Sequence, residues 1–485
     1  AFAVAATDLS TMLGGYSQSA GSNGNSICAG MQVLLAAGVT FDAPSVSSAI
    51  DFPIDLQGSD GSSVIQGNMV YFDAPGGSRI GNLTMRPTGG SPALSLFGNT
   101  EDFTVEGVVF DGTVSTGRGI FLNSGQLALT ATDFISLNGN NSAAALDAGG
   151  GGDTRVEIEN VNVVGSTISG FVGGSFRIQS GYGATATVEL IGTGLSFADT
   201  TGTGSDLFVE NASVDLDGLT VRNGKDVFIS NWLGSTEVRL RNLVVTGSHS
   251  DYPTSVVDIS ESYGQIWLTN ALIANNGDTA LALWPNGPAA QVDFVTAVGN
   301  REDMPGVGGF ALQGNLWNVN LNASVFAANE GGDFPPYGFY GPYLNWSFVF
   351  SDDAGICGTC ETGQAEFITF HPNLDPAAWM LAPVEGGNLD DQGQMLGYLG
   401  PDGSGFYTDY DGDGLPFGWE QFWIGYEGLP QSTNLDDTYD DGDMWTPTDE
   451  YANGTNPFRA DTDGDYTDDH EDCSPLNPAD ASVCP

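Results

Sequence analysis

Lysine is nearly absent: Lys225 is the only one in 485 residues, and with the arginines it makes 11 basic residues against 61 acidic ones. A formal net charge of -50 leaves no basic footprint for nucleic acid or an anionic membrane surface, both of which are held through Lys and Arg. Cations are the natural partners. An acid-rich, lysine-poor surface suits salty or cation-rich surroundings, and a lineage's compositional habit accounts for it equally well. Histidine is scarce too, and His249, His371 and His470 are scattered, so a zinc quartet lacks ligands. No apolar run reaches the roughly 20 residues a membrane-crossing helix needs. The opening AFAVAA is too short for a signal peptide and fits the mature end left when one is removed.

Cysteine is limited to five residues. Cys473 and Cys484 flank a short Pro-containing loop and are expected to pair, which places the chain outside the cytoplasm, secreted or at a cell surface. Cys357 and Cys360 have CxxC spacing, but nothing nearby completes a redox motif or a zinc site. They read as a local disulfide or two structural thiols, with Cys28 left over.

What is abundant is glycine, 69 residues, placed mostly at the ends of short apolar stretches where turns are expected. The clearest stretch is EVRLRNLVVTG, Glu237–Gly247. Val238 and Leu240 alternate with Arg239 and Arg241, which is how a strand with one buried face reads. Asn242 then marks a corner. Copies begin at Val156 (VEIENVNVVG), Val214 (VDLDGLTVRNG), Ile266 (IWLTNALIANNG) and Val319 (VNLNASVFAANEG), with weaker ones at Val188 and Val292. A spacing of roughly 24 to 32 residues points to a solenoid. The position four after each start is Asn160, Gly192, Gly218, Asn242 and Asn270. Stacked amides there predict a hydrogen-bonded ladder, and glycine tolerates the same corner.

Together with VLLAAGVTF from Val33 and IDFPIDLQGSDGSSVIQG from Ile50, these repeats resemble the pectate-lyase-like right-handed parallel β-helix proteins over about residues 31–350. The resemblance implies an all-β solenoid and says little about activity, because that fold hosts lyases, hydrolases, esterases, adhesins and inert surface proteins. Residues 1–30 then form an N-terminal cap or assembly segment, and residues 351–401, where the period is lost, a second cap or linker.

Residues 402–485 differ in character. Asp409–Glu420 reads DYDGDGLPFGWE, with Asp409, Asp411 and Asp413 at positions 1, 3 and 5, Leu415 at 7 for its carbonyl and Glu420 at 12. Oxygens at alternate positions wrap a hard cation, the glycine permits the sharp turn, and the last carboxylate closes the shell. The second segment, Tyr439–Glu450, offers Asp441, Asp443 and Glu450, with Met444 at the glycine position. The third, Asp461–Asp472, offers Asp461, Asp463 and Asp465, with Tyr466 at the glycine position and either Glu471 or Asp472 closing. Tandem loops joined by Gly454–Pro457 resemble thrombospondin type 3 repeats over about residues 402–472. That resemblance implies calcium as the cofactor.

The repeat register also predicts an outward column. Glu189, Asp215 and Asp217 are expected beside Arg239 and Arg241 on one face. Pectate lyases on this fold hold calcium against an acidic sugar with outward carboxylates and abstract a proton with an arginine, so the resemblance makes these five residues candidates for a lyase or hydrolase site. The alternative is that the arginines offset a column of like charge, and none of the lyase or galacturonase signature motifs is present. Trp232, Trp267, Trp284, Trp317 and Trp346 could stack on sugars, although alternation points Trp267 outward and Trp346 inward. The leading expectation is a structural or adhesive protein of a cell surface, extracellular matrix or filament. It would self-associate end to end, with Phe2–Ala6 adding as a strand to a neighbour. A calcium-dependent polysaccharide lyase or hydrolase, or a carbohydrate-binding protein, is the alternative.

Overall fold

A computed structural model of the chain describes most of residues 32–327 apart from short loop segments, with Phe2–Val4, several strands between 344 and 395, Leu415, most of 441–475 and Val483. The fold is a parallel β-solenoid. One face is a ten-stranded sheet in which each strand pairs with the next along the chain, and at about 4.8 Å per strand such a stack extends roughly 43 Å.

The other faces come from long strands that bend in the middle. These are β3 (Gly125–Ile135), β4 (Thr154–Val164), β5 (Val188–Ala198), β6 (Ser213–Arg222), β7 (Glu237–Thr246), β8 (Gln265–Ala274), β9 (Ala290–Val298) and β10 (Val319–Ala327). They follow β1 (Phe2–Val4) and β2 (Gln32–Leu35). Successive members pair in parallel, as in Val214↔Val238 and Val238↔Ile266. In β7 the expected alternation holds: Val238 and Leu240 are buried, Arg239 and Arg241 are not, and Leu243 and Val245 resume the buried row beyond the corner. Inside the rod the rows stack ring on ring. Phe134 lies parallel to Phe110 at 4.8 Å, and Phe176 meets Phe134 and Phe197 edge-on at 5.7 and 5.6 Å.

The corner requires a left-handed residue. Asn160, Asn242 and Asn270 sit there at φ 53°, 54° and 60°, a region asparagine tolerates and most residues avoid. Asn270 Nδ2 donates to Asn242 Oδ1 at 2.6 Å, and Asn242 Nδ2 to Asp217 Oδ1 at 2.6 Å, so part of the amide ladder is present. On the coil after Asn160, close approach selects glycine. A Cβ on Gly194 would meet Asn160 Oδ1 at 2.8 Å.

Two weak repeats were read out of register. Val188 pairs with Thr154, so Leu190 is the equivalent of Val156, and Gly194, not Gly192, holds the corner. Val292 pairs with Leu268, and the corner there is Phe294 at φ 56°. A second ladder was missed. Asn276 Nδ2 donates to Asn300 Oδ1 at 2.8 Å and Asn300 Nδ2 to Asn329 Oδ1 at 2.9 Å, while each amide also reaches a carbonyl of the preceding coil.

At the start of the rod, Phe2–Val4 pairs in parallel with Val33–Leu35 of its own chain. The segment expected to reach a neighbour is therefore the first rung at home. At the far end, Phe350↔Glu361 continues the parallel ladder by one short strand, and Phe367–Phe370 then pairs antiparallel with Met380–Pro383.

Among the carboxyls buried in the solenoid, Asp206, Asp226 and Asp258 are 0%, 2% and 2% exposed. Burial pushes Asp206 up to about 6 against the hydrogen bonds of Thr200 and the Lys225 backbone N–H. Burial, opposed by Ser205 and Ser250 and reinforced by Asp206 and Asp258, pushes Asp226 up to about 7. Asp258 rises to about 7 for the same first reason, against hydrogen bonds from Trp284 and Ser255.

Because these folded-state values lie above the unfolded one, the folded chain binds protons more tightly. The stability this gives is complete below about pH 4 and is lost as pH rises through 6 to 7. The solenoid's melting temperature should fall between pH 5 and pH 8, and Asp226→Asn should flatten that fall; an unchanged slope would contradict the assignment. Separately, Phe294→Asn removes a bulky left-handed residue and places an amide above Asn270. Urea unfolding should report a gain of about 1 kcal/mol.

Candidate functional site

The outward face of the first half of β4, β5, β6 and β7 carries charged residues, among them Arg155, Glu157, Glu189, Asp215, Asp217, Arg239 and Arg241. Ladder register puts Arg239 beside Asp215 and Arg241 beside Asp217, as the alternation implies. Glu189 does not join them. It registers with Ser213 on one side and Arg155 on the other, and Arg155 Nη1 lies 3.0 Å from Glu189 Oε2. The two-residue error at Val188 is the whole cause of that misplacement.

Arg241 clamps two carboxylates, with Nη2 at 2.8 Å from Asp215 Oδ1 and Nε at 3.2 Å from Asp217 Oδ2. Partial burial pulls its guanidinium down, but the hydrogen bond to Asp217 and the charges of Asp215 and Asp217 outweigh this and hold it above its ordinary value. Arg239 pairs with Glu237 at 2.9 Å and lies over the Trp267 ring, 4.4 Å from its centroid. Trp267 is outward as expected, but its face toward β7 is covered by that guanidinium. Trp346 registers with Leu321, a buried position. Trp232 is 54% exposed, and Trp317 lies outside the described residues.

The same pattern runs down the rod. Arg79 pairs with Glu106, Arg86 with Asp111, and both Arg118 and Arg177 with Asp147. A guanidinium held between two carboxylates cannot take a proton from a substrate without first leaving them. Apart from Arg239, which pairs within its own strand, these arginines pair with carboxylates of neighbouring coils.

The face also carries a concavity. A groove of about 360 Å³ opens at the start of β3, β4 and β5, lined in part by Glu101, Gln126, Asp153, Arg155, Thr187 and Glu189. Asp153 Oδ1 accepts the Thr187 backbone N–H at 2.8 Å, which fixes its wall. Arg155 is held above its ordinary value first by its hydrogen bond to Glu157 and further by the charges of Glu157 and Glu189. Carboxylates, an amide, a hydroxyl and a guanidinium thus converge on one polar groove.

A second cluster lies in the C-terminal segment. Thr446 caps α1 (Pro447–Asn453): its Oγ1 donates to Asp449 Oδ2 at 2.9 Å and accepts the Asp449 N–H at 3.3 Å, with proline at the first helical position. The helix carries Glu450 inward beside Asp443, and the chain returns to bring Asp469 against both, with one oxygen from each residue lying within 4.8 Å of the others. All three are buried. Burial, with the charges of Asp441, Asp443 and Asp469, pushes Glu450 up to about 9. Burial and the charges of Asp443 and Asp441 raise Asp469 to about 7 against its hydrogen bonds from Thr462.

An all-oxygen set of carboxylates with unbonded buried oxygens, Asp443 Oδ2 and Glu450 Oε1, fits a hard divalent cation. Met444 and Tyr466, at the expected glycine positions, both have φ 75°, so the sharp turn is made without glycine. Of the residues that the second segment's spacing proposes, Asp443 and Glu450 lie in this cluster, while Asp441 Oδ1 accepts the Asp443 backbone N–H at 3.3 Å. Asp469 was missed, although it stands at position 9 of the third segment, where a ligand reached directly or through water is common.

Asp461 accepts the Tyr466 backbone N–H at 2.8 Å. Asp472 is buried and bridges to Val483. Leu415 is buried, while Asp409, Asp411, Asp413, Glu420, Asp463 and Asp465 lie outside the described residues. Cys473 is disulfide-bonded; Cys484, its expected partner, and Cys357 and Cys360 lie outside them too.

No protein-family model matches the chain, and no curated protein does. Among solved structures it is similar to the PL6 family alginate lyase AlyGC, at 14% identity over 83% of this chain and 56% of that one, with a TM-score of 0.36. An arginine-to-alanine mutant of that enzyme gives 14% identity, 79% and 57% coverage and a TM-score of 0.34. The chain thus spans little more than half the length of these lyases.

If Arg241 is a brace, Arg241→Gln should cost about 1 kcal/mol or less in urea unfolding, because the pair is partly exposed. The difference should shrink in high salt. A salt-independent loss would contradict the brace.

Proposed function

We propose that this is a secreted, calcium-stabilised β-solenoid with a structural or adhesive role at a cell surface, in an extracellular matrix or in an extracellular filament. The observation that carries this reading is the engagement of Arg79, Arg86, Arg118, Arg155, Arg177, Arg239 and Arg241 with carboxylates, most of them on neighbouring coils. An outward face built this way resists shear between layers and leaves its candidate catalytic arginine occupied. Calcium enters through the oxygen cluster of the C-terminal segment. Self-association end to end is part of the reading, with β1 offering its outer edge to a second copy.

A carbohydrate-binding role is the second reading, favoured by the groove beside Arg155 and Glu189, whose polar groups suit the hydroxyls of a sugar. A polysaccharide lyase or hydrolase would need the same groove to supply a base.

Three measurements test these readings. Chelation should lower the thermal transition and raise the protease sensitivity of residues 441–472 while the solenoid transition stays in place; indifference to chelator would end the calcium reading. Purified protein with calcium should form no unsaturated product from alginate or polygalacturonate. Product formation that is lost in Arg155→Ala would overturn the structural reading in favour of the enzyme. A glycan array with no hits removes the second reading alone.

A further inference from the structure

We infer that Asp443, Glu450 and Asp469 hold one divalent cation between them, so that the second and third acidic segments share an ion instead of each closing around its own. This rests on the calcium reading above and goes beyond it, because loop spacing assigns Asp469 to a different loop from Asp443 and Glu450.

The geometry is that of a shell waiting to be closed. Oxygens bound to calcium at 2.3–2.6 Å stand no more than about 5 Å apart, and the three carboxylates each place an oxygen within 4.8 Å of the other two. Their exposures are 0%, 1% and 1% for Asp443, Glu450 and Asp469. Asp443 Oδ2 and Glu450 Oε1 have no hydrogen-bond partner among the described residues. Buried, unpaired carboxylates this close together are strongly unfavourable unless a cation or a proton neutralises them.

Each ligand is oriented by a separate local device. The Trp445 N–H binds Asp443 Oδ1 at 2.7 Å and leaves Oδ2 free. Glu450 is set by the capped helix α1. Thr462 holds Asp469 from both sides, its N–H on Oδ1 at 2.9 Å and its Oγ1 on Oδ2 at 2.6 Å, while that hydroxyl accepts the Asn456 N–H at 2.8 Å. A backbone bond from the Asp469 N–H to the Ala460 carbonyl at 2.8 Å closes the return.

Three independent devices converging on one point bring together residues that lie far apart in sequence. The consequence is mechanical. Binding one ion orders α1 and the Thr462–Asp469 turn together, and losing it releases both.

The test is calorimetric titration of the full chain, stripped of metal, with calcium. Asp443→Asn and Asp469→Asn should each abolish the same binding step or weaken it at least tenfold, and the double variant should lose no more than either single one. Hydrogen exchange on the unmodified chain gives a second reading that no folding defect can mimic. Amides of Thr446–Asn453 and of Thr462–Asp469 should become protected at the same free calcium concentration.

If Asp469→Asn binds as the unmodified chain does while Asp443→Asn loses a step, or if the two protection midpoints differ more than tenfold, the shared ion is wrong and the calcium reading survives. If the unmodified chain binds no calcium, both are wrong.

Discussion

Parallel stacking at one strand spacing is the constraint from which the rest of this molecule follows. Each coil sets its residues directly above those of the coil before, so a choice made once is met again about 4.8 Å away. Apolar residues benefit, as the ring-on-ring contacts of Phe110, Phe134, Phe176 and Phe197 illustrate. Amides benefit when one donates to the next, as Asn276, Asn300 and Asn329 do. Carboxylates suffer unless something intervenes. On a chain with 61 acids and 11 bases, arginines must be placed where acids would otherwise meet, and the Asp215–Asp217–Arg241 clamp is the clearest case.

That constraint also explains what the sequence disclosed. Alternation and an Asn or Gly corner located the strong repeats at Val156, Val214, Val238 and Ile266 in their true register, and alternation alone located Val319, whose corner is Ala323. At Val188 two glycines compete for the corner, Gly192 and Gly194, and the choice turns on contact with Asn160 in the coil below, which one repeat in isolation does not contain. At Val292 the corner is a phenylalanine, against its own preference, because the neighbouring coils dictate the bend. The second amide ladder was written in the sequence as an asparagine just past a turn at Asn276 and Asn300, but it was masked by the more conspicuous first corner.

The candidate sites divide in the same way. Asp443 and Glu450 stand seven residues apart, so local spacing pairs them before any fold is known. Asp469 was not legible, since its partners lie across a helix and a return turn. The groove beside Arg155 and Glu189 was invisible for a related reason, being assembled from the starts of three successive strands. Both sites depend on residues distant in sequence, and spacing alone cannot gather those.

The structural role proposed above rests on a rod whose arginines engage carboxylates, most of them on neighbouring coils. Electron microscopy of the native full-length chain in calcium tests it most directly. Rods with a repeat near 4.8 Å along the axis, joined end to end into longer assemblies, are the expected result. Dispersed single particles at every concentration, with a polysaccharide bound along the Arg155 groove, would contradict it.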